Sequence, residues 1–423
     1  MAAAGALSIA LLLAGCSSPG VGGATGGAAK PAAAPVKIGA ILSLSGTYAG
    51  LGAPEKQAIE LEVKRINEAG GIGGRSVEVL VEDDATDPSK AVAAATKLIE
   101  KDRVVALIGA TGTGSTMAIR NEASRAGVPI VSMAGGSVIT DTFDANTFQT
   151  PWPNRVVVAF TLKYLKAHGI TKIALLSDSS GYGKDGHDVT VKQAAAAGVT
   201  IVADESFNPG DTDMTAQLIK IKAPAPQAVW LWNAGKEAAT VAKNLRQIDP
   251  GAAIRLVGAP GNGRTEFLAG AGGAAEGFTF AAGRILLPET YGKDTGEYKL
   301  ATSFAVRFRA AWGKSPDIFA GHAYDALAIV ADAIKRAPAA GDDGARLRDA
   351  IEGTKGLVGI GGTFTYTPKD HNGLGEKDLT RPRARASFTS SRHRARCRAS
   401  RRRCTSSRSP PRPPPSSGVK SRA

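Results

Sequence analysis

Cysteine is nearly absent from this chain. Its 423 residues hold three, Cys16, Cys397 and Cys404, with none between residues 17 and 396. A core without cysteine has no disulfide and no thiolate metal site. Cys397 and Cys404 stand in a basic segment at an interval that is not a zinc spacing. Histidine is scarce too. The five, at 168, 187, 322, 371 and 393, form no metal-binding interval, and His322, ahead of a long helix, reads as structural. No metal and no cofactor are expected. No G-x-S-x-G elbow and no nucleophile–base arrangement occurs, which argues against an enzyme. Acidic residues are missing from the end of the chain. Arg381 to Ala423 holds fourteen Lys and Arg and no Asp or Glu, whereas residues 1–380 balance 38 basic against 38 acidic residues. The net charge of +14 therefore belongs to the tail, and nucleic acid is not an expected partner of the folded part. That tail of Arg, Ser and Pro has no Leu or Ile. It cannot bury a core and is expected to be disordered. A shifted reading frame explains it better than an evolved nucleic-acid arm.

Apolar runs of spanning length are also missing. Ala6 to Leu13 is too short for a membrane helix, which needs about 20 residues, but it suits a signal h-region. Leu13-Ala14-Gly15-Cys16 follows and resembles the bacterial lipobox, whose Cys becomes the lipidated first residue. No Lys or Arg precedes the run, a departure from the usual signal. Ser17 to Pro35 is mostly Gly, Ala, Ser and Pro, a flexible tether. Cys16 is thus the expected lipidation site, with the membrane engaged by lipid alone.

The length predicts two domains. From Val36 onward, buried-strand patterns alternate with amphipathic helices. Strands are predicted at Val36 to Leu42, Val77 to Val81, Val104 to Gly109 and Val128 to Ser132. Helices are predicted from Pro54, around Val92 to Ile99, and over Met117 to Ala126. The pattern restarts with helix Asn154 to His168, strand Lys172 to Ser177 and helix Lys184 to Ala197. Strands follow at Val199 to Glu205, Ala228 to Trp232 and Ile254 to Gly258. Helices near Tyr298 to Trp312 and Ala320 to Arg336 and a strand at Thr363 to Thr367 complete the reading. Such alternation implies α/β units with parallel sheets and right-handed crossovers.

Several short motifs fall in order: Ser45-Gly46, Gly70-Gly71-Ile72-Gly73-Gly74, Asp83-Asp84, Asp87-Pro88, Ile108-Gly109, Val128-Pro129, Tyr182-Gly183, Asp211-Thr212-Asp213, Ala275-Glu276-Gly277 and Ala323-Tyr324-Asp325-Ala326. Together they resemble the leucine/isoleucine/valine-binding protein family over about Val36 to Leu379. The resemblance implies a type I periplasmic-binding fold, two Rossmann-like lobes with parallel sheets joined by a three-strand hinge. The implied division is 1–35 signal and tether, 36–152 plus 281–338 lobe one, 153–280 plus 339–380 lobe two, and 381–423 tail. It further implies an extracytoplasmic, lipid-anchored, monomeric solute-binding subunit of an ABC importer, at the cell surface or in the periplasm. Its partners would be a small carboxylate or amino acid and permease subunits with their ATPases. The alternative is an extracytoplasmic sensor for a signalling partner.

In open α/β sheets, ligands bind beyond the carboxyl ends of strands. Two loops stand out, Thr111 to Thr116 and Met133 to Ser137. Their small residues let backbone amides approach an anion at a helix N-terminus. In the family these loops hold the ligand's carboxylate, and the second also helps hold the amino group, which points to Thr113, Ser115, Gly135 and Gly136. Tyr182 stands where a family tyrosine closes over the ligand. Trp230 and Trp232 point to one face of a strand reading toward Asn233, either as lobe core or as pocket wall. The departures matter. Pro260 occupies the position of the acid that pairs with a ligand ammonium, Leu51 replaces the first-loop aromatic with Tyr48 close by, and Ala234 stands where a second tyrosine is common. The candidate ligand-binding set is therefore Tyr48, Leu51, Thr113, Ser115, Gly135, Gly136, Tyr182, Trp232, Asn233 and Pro260. A buried ammonium without a carboxylate is costly. The set suits an acid lacking the α-amino group, such as an aromatic carboxylate, at least as well as an amino acid, with Glu237 or Asp178 as alternative ammonium partners. Gly258 to Thr265 approximates a P-loop, but Arg264 replaces its Lys and Pro260 breaks its loop, so nucleotide binding is not expected. Asp83 and Asp84 read as a strand-end cap or a hinge contact rather than a catalytic pair.

Overall fold

The structure is a computed structural model, and it describes residues 34–380. Cys16 and the 381–423 tail lie outside the described residues.

Two five-stranded parallel sheets organise the described chain. The first contains β1 (Val36–Leu42), β2 (Val77–Asp83), β3 (Ala106–Gly109), β4 (Ile130–Ser132) and β5 (Thr147–Gln149), in the order β2-β1-β3-β4-β5. Its helices are α1 (Ala49–Glu68), α2 (Pro88–Thr96), α3 (Thr113–Arg125) and the one-turn α4 (Val138–Asp141). The second sheet runs β10-β9-β8-β6-β7, from β6 (Lys172–Asp178), β7 (Thr200–Phe207), β8 (Ala228–Trp232), β9 (Arg255–Gly258) and β10 (Thr279–Phe280). α5 (Asn154–Ala167) leads into it, and between its strands lie α6 (Gly181–Ala194), α7 (Thr215–Lys222), α8 (Glu237–Ile248) and α9 (Thr265–Ala271). The chain leaves this second lobe through β11 (Ala282–Gly283). It continues with α10 (Gly296–Trp312), α11 (Ile318–Arg336), α12 (Gly344–Glu352), the hairpin β12 (Leu357–Val358) and β13 (Thr363–Phe364), and β14 (Leu379–Thr380), which pairs antiparallel with β11.

Central parallel strands are covered by helices on both faces, so they read as continuous apolar runs. β1 (VKIGAIL) and β8 (AVWLW) are such strands, buried almost throughout. Gly39 in β1 is a packing requirement, because a Cβ there would sit 2.7 Å from the Leu107 side chain on β3. Caps fix several helix starts. Asp87 accepts from Ser89 N and Lys90 N with Pro88 at the first helical position. Ser180 accepts from Gly183 N, and Asp317 accepts from Phe319 N and Ala320 N. Asp83 and Asp84 also do cap-like work. Asp83 accepts from Leu44 N, Ser45 N and Ala85 N, and Asp84 accepts from Ser43 Oγ and Thr86 N. They pin the β1–α1 loop to the end of β2.

Three differences from the sequence reading affect the site. Helices begin earlier than their apolar periodicity indicates. The first starts at Ala49 rather than Pro54, because Tyr48 O already accepts from Leu51 N and Gly52 N. α3 starts at Thr113 and α6 at Gly181, so residues expected in loops form helix first turns. The Thr363 to Thr367 strand shortens to two residues in a hairpin. Third, the 339–380 segment, an expected part of lobe two, packs mostly on the first lobe. Leu347 and Ile351 of α12 are buried in the cluster that contains α11. His371 stacks on Phe148 with ring centroids 4.2 Å apart, and Tyr366 donates its hydroxyl to Gln149 O at 3.2 Å. What ties this segment to the second lobe is the Lys163–Glu376 ion pair at 2.7 Å.

Candidate functional site

A cleft of about 470 Å³, its open mouth included, lies where the carboxyl ends of both sheets face one another. Each wall arrives from a strand end, as sheet geometry requires of an open α/β fold. The first lobe supplies Tyr48 and Leu51 after β1, Thr111, Gly112 and Thr113 after β3, and Met133, Ala134 and Gly135 after β4. The second supplies Tyr182 after β6, Ala234 after β8, and Pro260 and Gly261 after β9. Pro151 and Trp152 come from the passage between sheets, and Ile318, Phe319 and His322 from the first turns of α11.

Six of the ten sequence candidates meet here: Tyr48, Leu51, Thr113, Gly135, Tyr182 and Pro260. Gly136 stands one step behind and sets the position of Thr113, since a Cβ at 136 would approach Thr113 Cγ2 to 2.4 Å. Ser115 faces a neighbouring groove with Gly114, Ser180 and Gly181. Trp232 is core, not wall. It is fully buried, donates Nε1–H to Thr190 Oγ1 at 2.9 Å and stacks on Trp230 at 5.4 Å. Gly186 makes room for it, because a Cβ there would lie 2.2 Å from the Trp232 ring. The indole meets Tyr182 edge-on at 5.8 Å and so buttresses a residue that does line the cleft. Asn233 is likewise behind the wall, with Nδ2 donating to Asp178 Oδ2 at 2.8 Å and to Glu237 Oε2 at 3.2 Å.

Those bonds also remove the two alternative ammonium partners. Asp178 is committed to Ser180 and Asn233, and Glu237 to Gly210 N and Asn233. No Asp, Glu, Lys or Arg is among the lining residues. The nearest cation stands one layer back. Arg264 donates to Ala234 O at 3.2 Å, and its guanidinium lies 5.8 Å over the Phe319 ring. Burial lowers its pKa, with Asp317 opposing. Asp317 in turn is pushed up to about 6 by burial. His322, a structural residue on the sequence reading, lines the cleft. Burial holds its imidazole down at about 3, so the ring is neutral.

Polar atoms without a protein partner mark what the cleft is built to meet. Thr113 Oγ1, Trp152 Nε1 and His322 Nδ1 are buried and unbonded. Tyr48 OH also lacks a hydrogen bond, beside the Ser180 side chain. Gly112 leaves α3 without a side-chain cap, so the helix presents first-turn amides beside Thr113. Buried polar groups are normally paired. A cluster of donors around one cleft, with no carboxylate among them, suits an acceptor-rich anionic solute.

The two lobes touch directly beside the cleft. Asp185 of α6 accepts from Ser137 N at 2.8 Å and Val138 N at 2.9 Å, at the start of α4, and from Asn154 Nδ2 at 2.8 Å. Gly181 of α6 abuts Gly114 of α3, where an added Cβ would lie 2.9 Å from the Gly114 amide nitrogen. This is a closed arrangement of the lobes.

A fold of two such lobes with a cleft at their strand ends defines a solute-binding protein. Comparison with known families agrees: residues 35–381 match the periplasmic binding protein model, and the chain belongs to that family. The family is an extracytoplasmic, non-enzymatic, solute-binding class, and among the described residues no helix is long and apolar enough to cross a membrane. The chain is 29% identical over 349 residues to a Leu/Ile/Val-binding protein homolog from Brucella melitensis, covering 81% of this chain and 90% of that one. Among solved structures it is similar to an extracellular ligand-binding receptor from Rhodopseudomonas palustris, at 28% identity and TM-score 0.76, covering 82% and 96% of the two chains. It is similar to a branched-chain amino acid transporter substrate binding protein from Streptococcus pneumoniae in complex with isoleucine, at 26% identity and TM-score 0.70, covering 82% and 100%. It is also similar to an ABC transporter solute binding protein from R. palustris in complex with benzoate, at 27% identity and TM-score 0.70, covering 81% and 91%.

Proposed function

We propose that this protein captures a small carboxylic acid lacking an α-ammonium group and delivers it to the permease of an ABC importer. One observation carries the ligand class. The lining offers the unpaired Thr113 Oγ1 at the N-terminus of α3, and no acidic side chain that an ammonium could pair with. A carboxylate would sit against Thr113 and the first-turn amides of α3, which stabilise negative charge. Leu51, Met133, Tyr182, Pro260, Ile318 and Phe319 would enclose its apolar body. The benzoate-bound relative supports an acid of this kind. The relatives' names and the isoleucine-bound structure favour a second reading, a branched-chain amino acid. Closure would be driven by contacts that a ligand makes with both lobes at once. The protein acts without catalysis, as a monomer held to the membrane through lipidated Cys16. A thermal-shift panel of branched-chain amino acids, their amides, and aliphatic and aromatic acids tests the ligand class. Stabilisation by acids but not by leucine is expected, and the reverse pattern would refute it. Fractionation of Cys16→Ala tests the anchor, and membrane retention equal to wild type would remove it.

A further inference from the structure

We infer that the solute carries a second polar group, a hydroxyl or carbonyl oxygen set apart from its carboxylate, and that Trp152 and His322 select it. This rests on the carboxylate reading above and narrows the substrate to hydroxy or oxo acids. Trp152 enters the cleft from the passage after β5, its ring braced by Gly283, where an added Cβ would meet the indole at 2.2 Å. His322 enters from α11, and the two rings meet edge-on at 5.4 Å. Each residue is 3% exposed. Trp152 Nε1 and His322 Nδ1 have no hydrogen-bond partner in the protein, although both residues line the cleft. They come from other elements than Thr113, which opens α3 and rests on Gly136 of the loop after β4. A carboxylate held by α3 therefore leaves them unserved.

Their chemistry restricts the missing partner. An indole N–H only donates, so its partner must accept. A neutral imidazole has one donor and one acceptor nitrogen, so it can bond either a hydroxyl or a carbonyl. An oxygen between the rings satisfies both. A hydrocarbon satisfies neither, and an ammonium has no lone pair for the indole. Sites built to bond a substrate oxygen reject the analogue that lacks it, because their own polar groups are then left unpaired.

Titration calorimetry on ligand-stripped protein tests this with matched pairs: benzoate against 3- and 4-hydroxybenzoate, and pentanoate against 4-oxopentanoate. At least one oxygenated acid is expected to bind about tenfold or more tighter than its parent. Trp152→Phe and His322→Leu should each shrink that ratio to within about threefold of unity, whatever they do to the parent acid's own affinity. Equal affinity within every pair, or a ratio that neither variant moves, would overturn the inference while the carboxylate reading stands. Leucine binding with no response to any acid would overturn both.

Discussion

Thr113 is the sharpest place to perturb the site, because one substitution should move affinity and stability in opposite directions. The residue is 2% exposed at the first position of α3, and its hydroxyl has no partner. Its methyl packs on Gly136. Thr113→Val keeps that methyl contact and removes only the hydroxyl. In the ligand-free protein this relieves a buried, unpaired polar group, worth roughly 1–3 kcal/mol in mutational data. Stability should therefore hold or rise. In the complex the same change deletes a hydrogen bond to a charged carboxylate, worth about 1.5–3 kcal/mol. At about 1.4 kcal/mol per factor of ten, acid affinity should fall roughly ten- to hundredfold. Calorimetric titration with the best acid from the thermal-shift panel, paired with urea unfolding of the apo protein, reads both numbers. Affinity within twofold of wild type would show that Thr113 does not touch the carboxylate. A destabilised variant would show that its hydroxyl is satisfied in the folded protein.

Two further predictions follow from contacts around the cleft. Asp185→Asn leaves one acceptor for the two α4 amides that Asp185 now holds, so closure should weaken by about 1–3 kcal/mol. The ligand should dissociate faster and small-angle scattering should give a larger apo radius of gyration; unchanged rates and dimensions would mean the contact does not latch the lobes. His322, held at about 3 by burial, refuses a proton that the unfolded chain accepts below its ordinary value near 6.5. Its contribution is full above about pH 6.5 and is lost progressively down to about pH 3, at up to about 1.4 kcal/mol per pH unit. The loss of stability between pH 7 and pH 5 should thus be smaller in His322→Leu than in wild type, and equal losses in denaturant titrations would contradict a buried neutral ring.

The sheets were legible in the sequence because their strands are buried on both faces. Val36–Leu42 and Ala228–Trp232 are uninterrupted apolar runs that need no tertiary knowledge. Helix starts were less legible. Helical periodicity reads the face packed on the sheet, whereas Thr113, Tyr182 and Phe319 sit in first turns that are buried against the cleft and set by backbone and cap geometry. β5 escaped notice because Thr147–Gln149 is short and carries no apolar run. The site divides along the same line. Loop residues adjoining strand ends, such as Thr113 and Gly135, follow from the topology. Trp152 comes from the passage after β5, and His322 from a segment remote in sequence that only the return of the chain to the first lobe brings to the cleft. His322 is the one polar side chain in the apolar start of α11, IFAGHA, and that is the signal that marks it. Trp232 misled because alternation places it on a face without saying which layer covers that face, and the cover is α6 through Gly186. The placement of 339–380 failed for a similar reason. His371, Tyr366 and α12 find their partners on β5 and α11, contacts that no local pattern encodes.

The central claim is that the cleft accepts a carboxylate and excludes an α-ammonium. Titration of purified protein, unfolded and refolded to strip bound solute, with leucine and benzoate at pH 7 tests it most directly. An ammonium left unpaired in the closed cleft costs several kcal/mol, on the order of a thousandfold in affinity. Benzoate should therefore bind and leucine should bind weakly or not at all. Micromolar or tighter leucine binding with no heat from benzoate would contradict the account.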